Sequence, residues 1–205
     1  MGFATNVFVN CPFDDTYRPL LRPVLYAIID LGFTPRIALE SLDSGMPRFG
    51  KILGLIEESR YAIHDLSRIQ AATAGEYYRL NMPFELGLDV ACRHFKSGKW
   101  RAKKCLILER ERFRYQAGLS DIAGSDIAVH GDVPLKAMSA VRDWLNTEAE
   151  LRAPGSDAIF GRFSDFMAQN YDTLMARGYS IAAIESLPIA ELIDDATRWV
   201  RRNPR

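Results

Sequence analysis

The chain has 205 residues, 48% of them of apolar type, and its 26 Lys and Arg balance 26 Asp and Glu. That length and mix fit one substantial core with a terminal extension, and neutrality removes any global electrostatic case for nucleic-acid binding. No stretch approaches the roughly 20 apolar residues that a bilayer crossing needs, and no leader pattern precedes the first strand, so a cytoplasmic location is expected.

The first strand is read at Asn6–Asn10, an almost unbroken apolar run of the kind expected when helices cover both sheet faces. Pro12 has no amide to give a continuing ladder, so the turn Asn10-Cys11-Pro12-Phe13-Asp14-Asp15 leaves the sheet. Over residues 17–31, Leu21, Leu25, Ile28 and Ile29 recur at helical spacing, and Gly32 supplies the stop before a second strand at 33–38. After a polar connection, Ile52, Leu55 and Ile56 mark a helix, and Tyr61-Ala62-Ile63-His64-Asp65 reads as a third strand with a polar end.

Residues 66–80 keep no period, and their small residues suggest a lid that Tyr77 and Tyr78 close over a base or ribose. A static surface excursion is the alternative. Asn81 is positioned to cap the next helix, Pro83 falls near its first turn, and Phe84, Leu88, Ala91 and Phe95 form its apolar stripe. Residues 105–108 give a fourth strand, and the alternating charges of Glu109-Arg110-Glu111-Arg112 read as a solvated segment. A fifth strand is expected at 124–129, with 119–122 left open as a short edge strand.

A long helix follows at 133–151, with Leu135, Met138, Val141, Trp144 and Leu145 on its buried side. Arg152-Ala153-Pro154-Gly155 then divides an α/β domain at 1–152 from a helical extension at 153–205. About 50 residues are marginal for a separate core, so the extension should pack on the main domain or on another subunit. The fold class is therefore α/β, an open parallel sheet of about five strands with helices on both faces and a small C-terminal helical extension. With strand order 2-1-3-4-5, Asn10 and Asp65 would end the strands that border the ligand crevice.

Glu85, read as lying in the first turn of its helix, should be ionised by free amides and aligned dipoles. Such a carboxylate suits stabilisation of a ribosyl oxocarbenium centre or attack on the anomeric carbon, and its alternative role is helix stability alone. Asp65 either binds ribose hydroxyls or a departing base, or caps the segment after its strand. Asn10, Cys11, Phe13 and Asp14 surround a turn able to present amides to sugar or phosphate oxygens, with ordinary turn chemistry as the alternative for Asp14. Arg48 and Arg68 fall in loops on the same side and could pair with phosphate or simply be solvated.

No Gly-rich phosphate cradle is present. His64, His94 and His130 lack metal-ligand spacing, His64 remaining a secondary ligand-binding candidate. Cys92 and Cys105 read as core positions, while Cys11 lies in the site loop.

The runs Val7-Phe8-Val9-Asn10-Cys11-Pro12-Phe13, Ser59 through Ser67, and Asn81-Met82-Pro83-Phe84-Glu85-Leu86-Gly87 together resemble the nucleoside 2-deoxyribosyltransferase superfamily. They are also similar to bacterial TIR-like domains, which share a flavodoxin-like topology and a glutamate in a comparable catalytic helix. The resemblance covers roughly residues 5–145. It implies a ribose pocket begun by Cys11-Pro12-Phe13, a nucleophile at Glu85 and a nucleoside-binding acid at Asp65. The family pattern places an Asp six positions before the glutamate, where this chain has Arg79. With Asn81 beside it, that departure leaves room for a phosphate-bearing substrate, a nucleotide or NAD, with NAD a substrate and no cofactor implied. Hydrolysis or ribosyl transfer is the leading expectation, and a non-enzymatic nucleotide sensor or protein-interaction module the alternative. Related enzymes complete pockets across subunits, so a homo-oligomer built on Phe163, Phe166, Trp199 and Val200 is expected.

Overall fold

The computed structural model describes residues 2–40, 43–71 and 79–205. Strands β1 (Asn6–Asn10), β2 (Thr34–Ile37), β3 (Tyr61–Asp65), β4 (Lys104–Glu109) and β5 (Ile127–Val129) pair in parallel in the order β2-β1-β3-β4-β5. This is a flavodoxin-like α/β sheet, and the alternation of its strands explains the unbroken apolar runs. Val7 and Val9 of β1 enter one apolar cluster while Phe8 enters another on the opposite face, and Tyr61, Ala62 and Ile63 of β3 alternate in the same way.

Helices α1 (Arg18–Asp30) and α4 (Pro134–Glu148) cover one face, and α2 (Arg48–Glu57) and α3 (Asn81–Phe95) the other. The fifth strand is shorter than residues 124–129, and residues Ser120–Ile122 form a 3-10 turn instead of an edge strand. Among the described residues no helix is long and apolar enough to cross a membrane.

Two sequence expectations for α3 are corrected. Its buried side carries Met82, Glu85, Leu86 and Asp89, while Phe84 and Phe95 are exposed. The stripe is rotated because the sheet beneath supplies His64, and Lys103 at the foot of β4, as partners for Asp89, so that carboxylate is drawn inward. Asn81 is the first helical residue rather than the cap; Leu80 precedes the helix and no side chain caps it.

The extension forms α5 (Ser156–Ala176), α6 (Ile181–Glu185) and α7 (Ile189–Arg202). It packs on α1, whose Tyr26 ring stacks on Phe166 at 5.5 Å and contacts Phe163 and Trp199 at 5.6 and 6.1 Å. Arg162 of α5 reaches the buried Asp30 at 3.0 Å. Covered by the sheet on one side and the extension on the other, α1 is apolar nearly all round. Of the residues expected at a subunit surface, Phe166 is buried in the intramolecular core, and Phe163, Trp199 and Val200 pack against it partly buried.

The break at residues 152–155 is a tied turn. Arg142 donates to the carbonyls of Ala153 and Pro154, both at 2.7 Å, and the helices beyond share one apolar cluster with α1 and α4. Phe166→Ala should therefore cost about 3–5 kcal/mol. Urea unfolding followed by fluorescence should lose the Trp144 signal of the sheet and the Trp199 signal of the extension in one transition. Two separated transitions would contradict the shared core.

Candidate functional site

Strand order reverses between β1 and β3, and in open parallel sheets that is where a crevice opens beyond the carboxyl ends. Two adjoining cavities lie there, of about 400 and 460 Å³. The first is lined by Asn10, Cys11 and Phe13 from the β1 turn, Arg48 from α2, and Arg79, Asn81 and Glu85 at the start of α3. Seven of the residues singled out in the sequence thus meet in one space.

Glu85 is 8% exposed and is the only acid lining this cavity among the described residues. It lies in the second turn of α3, beyond the residues whose amides are free, so the helix terminus does not hold it ionised. Burial pushes its pKa up to about 7, with Arg48 pulling the other way. The Arg48 guanidinium lies 5.9 Å from the Phe13 ring centroid, which keeps it at the cavity wall. Burial, then the nearby carboxylates of Asp65, Glu85 and Asp14, raise the Cys11 thiol well above its ordinary range, so it remains a protonated thiol.

Asn10 is positioned by a buried chain. Its amide nitrogen donates to the Met82 carbonyl at 2.9 Å and meets His64 Nδ1 at 3.0 Å. His64 Nδ1 then accepts, and the opposite nitrogen faces Asp89 Oδ2 at 3.5 Å. Asp89 Oδ1 lies 2.8 Å from Lys103 Nζ, which also donates to the carbonyls of Ile56 and Ser59. Burial opposes ionisation of Asp89, yet His64 and Lys103 outweigh it and lower its pKa. His64, fully buried, supports Asn10 from behind and does not line either cavity.

Asp65 is also beneath the site and lines neither cavity. Its carboxylate accepts from the Tyr17 hydroxyl at 2.5 Å and the Ser67 amide at 2.8 Å, and His130 Nε2 lies 3.2 Å away. Both oxygens are engaged and the side chain is sealed, so contact with a ribose is closed to it. Tyr17, desolvated and facing Asp65, has its pKa raised well above the usual phenol range and donates throughout.

The second cavity gathers Asp14, Ser67, Arg68, Arg79, Arg110 and Arg114. Arg79 lines both cavities and pairs with Asp14 at 2.5 Å. Although burial opposes it, bonds from Thr16 and Arg79 lower the Asp14 pKa. Arg68 and Arg110 approach Asp132 at 3.4 and 3.2 Å. The segment Glu109-Arg110-Glu111-Arg112 is not uniformly solvated: Glu109 is fully buried and pairs with Arg114 at 2.5 Å. Periodicity could not reveal this, because Arg114 returns across a turn. Asp89, Lys103, Tyr17, Asp132, Arg110 and Arg114 were all invisible as site residues in the sequence; only the acids interleaved with apolar positions on α3 hinted at a polar inner face.

A larger groove of about 710 Å³ lies between α1 and the extension, away from these residues. There Arg18 and Arg22 both donate to the Glu185 carbonyl, at 2.9 and 2.7 Å, closing the end of α6. Residues 72–78 of the expected lid, including Tyr77 and Tyr78, lie outside the described residues. Comparison with protein-family models finds none that matches the chain, and comparison with curated proteins finds no match.

Two outcomes test this assignment of buried and cavity-facing acids. Asp65→Ala should cost about 3–5 kcal/mol in urea unfolding, because the Tyr17 hydroxyl and the Ser67 amide lose their common acceptor. Glu85 behaves oppositely. Its folded pKa of about 7 exceeds the ordinary value of 4.5, so stability falls as pH rises between those values. Glu85→Gln should stabilise the protein at pH 8 by about 1–2 kcal/mol, discounted because the carboxyl faces a wet cavity. The gain should vanish by about pH 4. A constant difference across that window would remove the burial argument.

Proposed function

We propose that the protein cleaves the N-glycosidic bond of a nucleotide, or transfers its ribosyl group, with NAD hydrolysis the leading version. The observation that carries this reading is Glu85: a lone carboxyl, free of ion pairs and hydrogen bonds among the described residues, facing a cavity at the crevice of a parallel sheet. Of the described acids near the crevice, Asp65 and Asp89 are buried against charged or hydrogen-bonding partners and Asp14 is paired with Arg79, whereas Glu85 has no such partner.

A carboxylate in a partly desolvated cavity interacts strongly with positive charge developing at an anomeric carbon. As the C1′–N bond breaks, its electron pair leaves with the base, and Glu85 either stabilises the oxocarbenium centre or forms an ester at C1′. Water then supplies the hydroxyl at C1′, regenerating Glu85 where the ester had formed, and its proton passes to solvent. Asn10, whose two amide hydrogens are held by His64 and Met82, keeps its side-chain carbonyl oxygen to accept from a sugar hydroxyl.

The leaving group favours NAD over ordinary nucleosides. A purine departs as an anion and needs a proton donor, whereas nicotinamide departs from its pyridinium as a neutral molecule. With Asp65 sealed, the cavity offers no second carboxyl for general-acid work among the described residues. That same lack of an acid–base pair supports the second reading, a nucleotide-binding module without turnover.

Incubation of purified protein with NAD, nucleoside monophosphates and nucleosides, followed by product separation, tests both. Glu85→Gln should lower kcat by about 100- to 10,000-fold with the fold retained. The wild-type rate should rise through pH 7 and level above it, since the ionised form acts. An unchanged rate in the variant would exclude Glu85 from the mechanism, and tight binding without product would select the binding module.

A further inference from the structure

We propose that the arginine-lined cavity is a diphosphate subsite, and that Arg110 and Arg114, with Arg68 and Arg79, make the protein select nucleoside diphosphate groups over free nucleosides. The inference rests on reading the adjoining Glu85 cavity as the ribose site.

The lining charges are unequal: four arginines face the 460 Å³ cavity against one acid, Asp14. The other carboxylates that pair with these arginines are Glu109, Asp132 and the exposed Glu111, none of which lines the cavity. Glu109, fully buried, holds Arg114, and Asp132 holds Arg68 and Arg110 at the looser distances of 3.4 and 3.2 Å. Such acids orient guanidiniums without occupying all of their donors, since each carries five N–H groups.

The backbone points the same way. Of the three non-glycine residues with positive φ among the described residues, two flank this compartment: Phe113 at 66°, just before Arg114, and Asp132 at 58°. Left-handed geometry is costly for a phenylalanine, and strain of this kind gathers at ligand sites. Asp132 is held there by its amide, which donates to His130 Nδ1 at 3.0 Å, and its carboxylate is thereby aimed at two arginines. Ser67 is 2% exposed, lines the cavity, and its hydroxyl has no partner among the described residues. The buried Arg114 Nε is likewise unpartnered.

The number of arginines separates one phosphate from two. Each guanidinium keeps donors free beside its carboxylate, and two bidentate forks engage the three terminal oxygens of a single phosphate. Two linked phosphates use all four. Arg79, lining both cavities, marks the passage from the ribose to the diphosphate.

Calorimetric titration of the full chain carrying Glu85→Gln, with adenosine, AMP, ADP, ADP-ribose and inorganic pyrophosphate, tests this at about 0.15 M salt. ADP and ADP-ribose should bind at least about 100-fold tighter than adenosine, with AMP between them. Adding Arg110→Ala should weaken ADP about 10-fold and leave adenosine unchanged. Arg114→Lys, which keeps a cation beside Glu109 and so protects the fold, should act in the same direction. Equal affinity for adenosine and ADP, AMP binding as tight as ADP, or indifference of ADP to both substitutions would each overturn the subsite. Pyrophosphate binding as tight as ADP would mark a free-diphosphate site and overturn the nucleotide part. Arginine-dependent ADP binding in a protein that cleaves no NAD would sink the catalytic reading and keep the subsite. NAD cleavage indifferent to both arginine substitutions would do the reverse.

Discussion

A carboxylate sealed from water must find donors within the protein, and Asp65 finds them on three separate loops. Tyr17 follows β1, Ser67 follows β3 and His130 follows β5, so one charge fastens three connections that surround the crevice. The fastening propagates. Because His130 Nδ1 accepts the Asp132 amide, the turn after β5 is fixed with its acid beside Arg68 and Arg110. The layout of the arginine compartment therefore descends from a residue sealed beneath it.

On the other side of the sheet, Lys103, Asp89, His64 and Asn10 form a second buried chain that ends in the Glu85 cavity. Two backbone carbonyls accept from Lys103 and the Asp89 carboxylate balances its charge, which is what permits a lysine to be 1% exposed. The two chains divide the acids into kinds. Asp65 and Asp89 are sealed against donors and cations and serve as anchors, while Glu85 has neither an ion pair nor a hydrogen bond among the described residues, and burial pushes its pKa up to about 7.

The scaffold makes this arrangement rigid by burying α1 between the sheet and the extension. Tyr26 meets aromatic rings from α5 and α7, and Asp30 meets Arg162, so the helix that follows the β1 turn is held from both sides. Residues far along the chain thus support the turn carrying Asn10, Cys11 and Phe13. An extension too small for a core of its own completes the main one.

The sequence by itself determined the parallel sheet, the position of every strand to within a few residues, and the convergence of Asn10, Cys11, Phe13, Arg48 and Glu85. These follow from local rules: Pro12 ends a ladder, apolar runs mark two-sided burial, and strand ends in such sheets meet at a crevice. Tertiary structure alone decided which charges face outward. Asp65 and Glu85 look alike as acids near element ends, yet donors from distant loops saturate one and leave the other bare. It likewise turned Phe84 out and Asp89 in, hid Glu109, and brought Arg114 back across a turn to face Arg68. Backbone propensity and hydrophobic period are read within a few residues, whereas the free energy of a buried charge depends on partners tens of residues away.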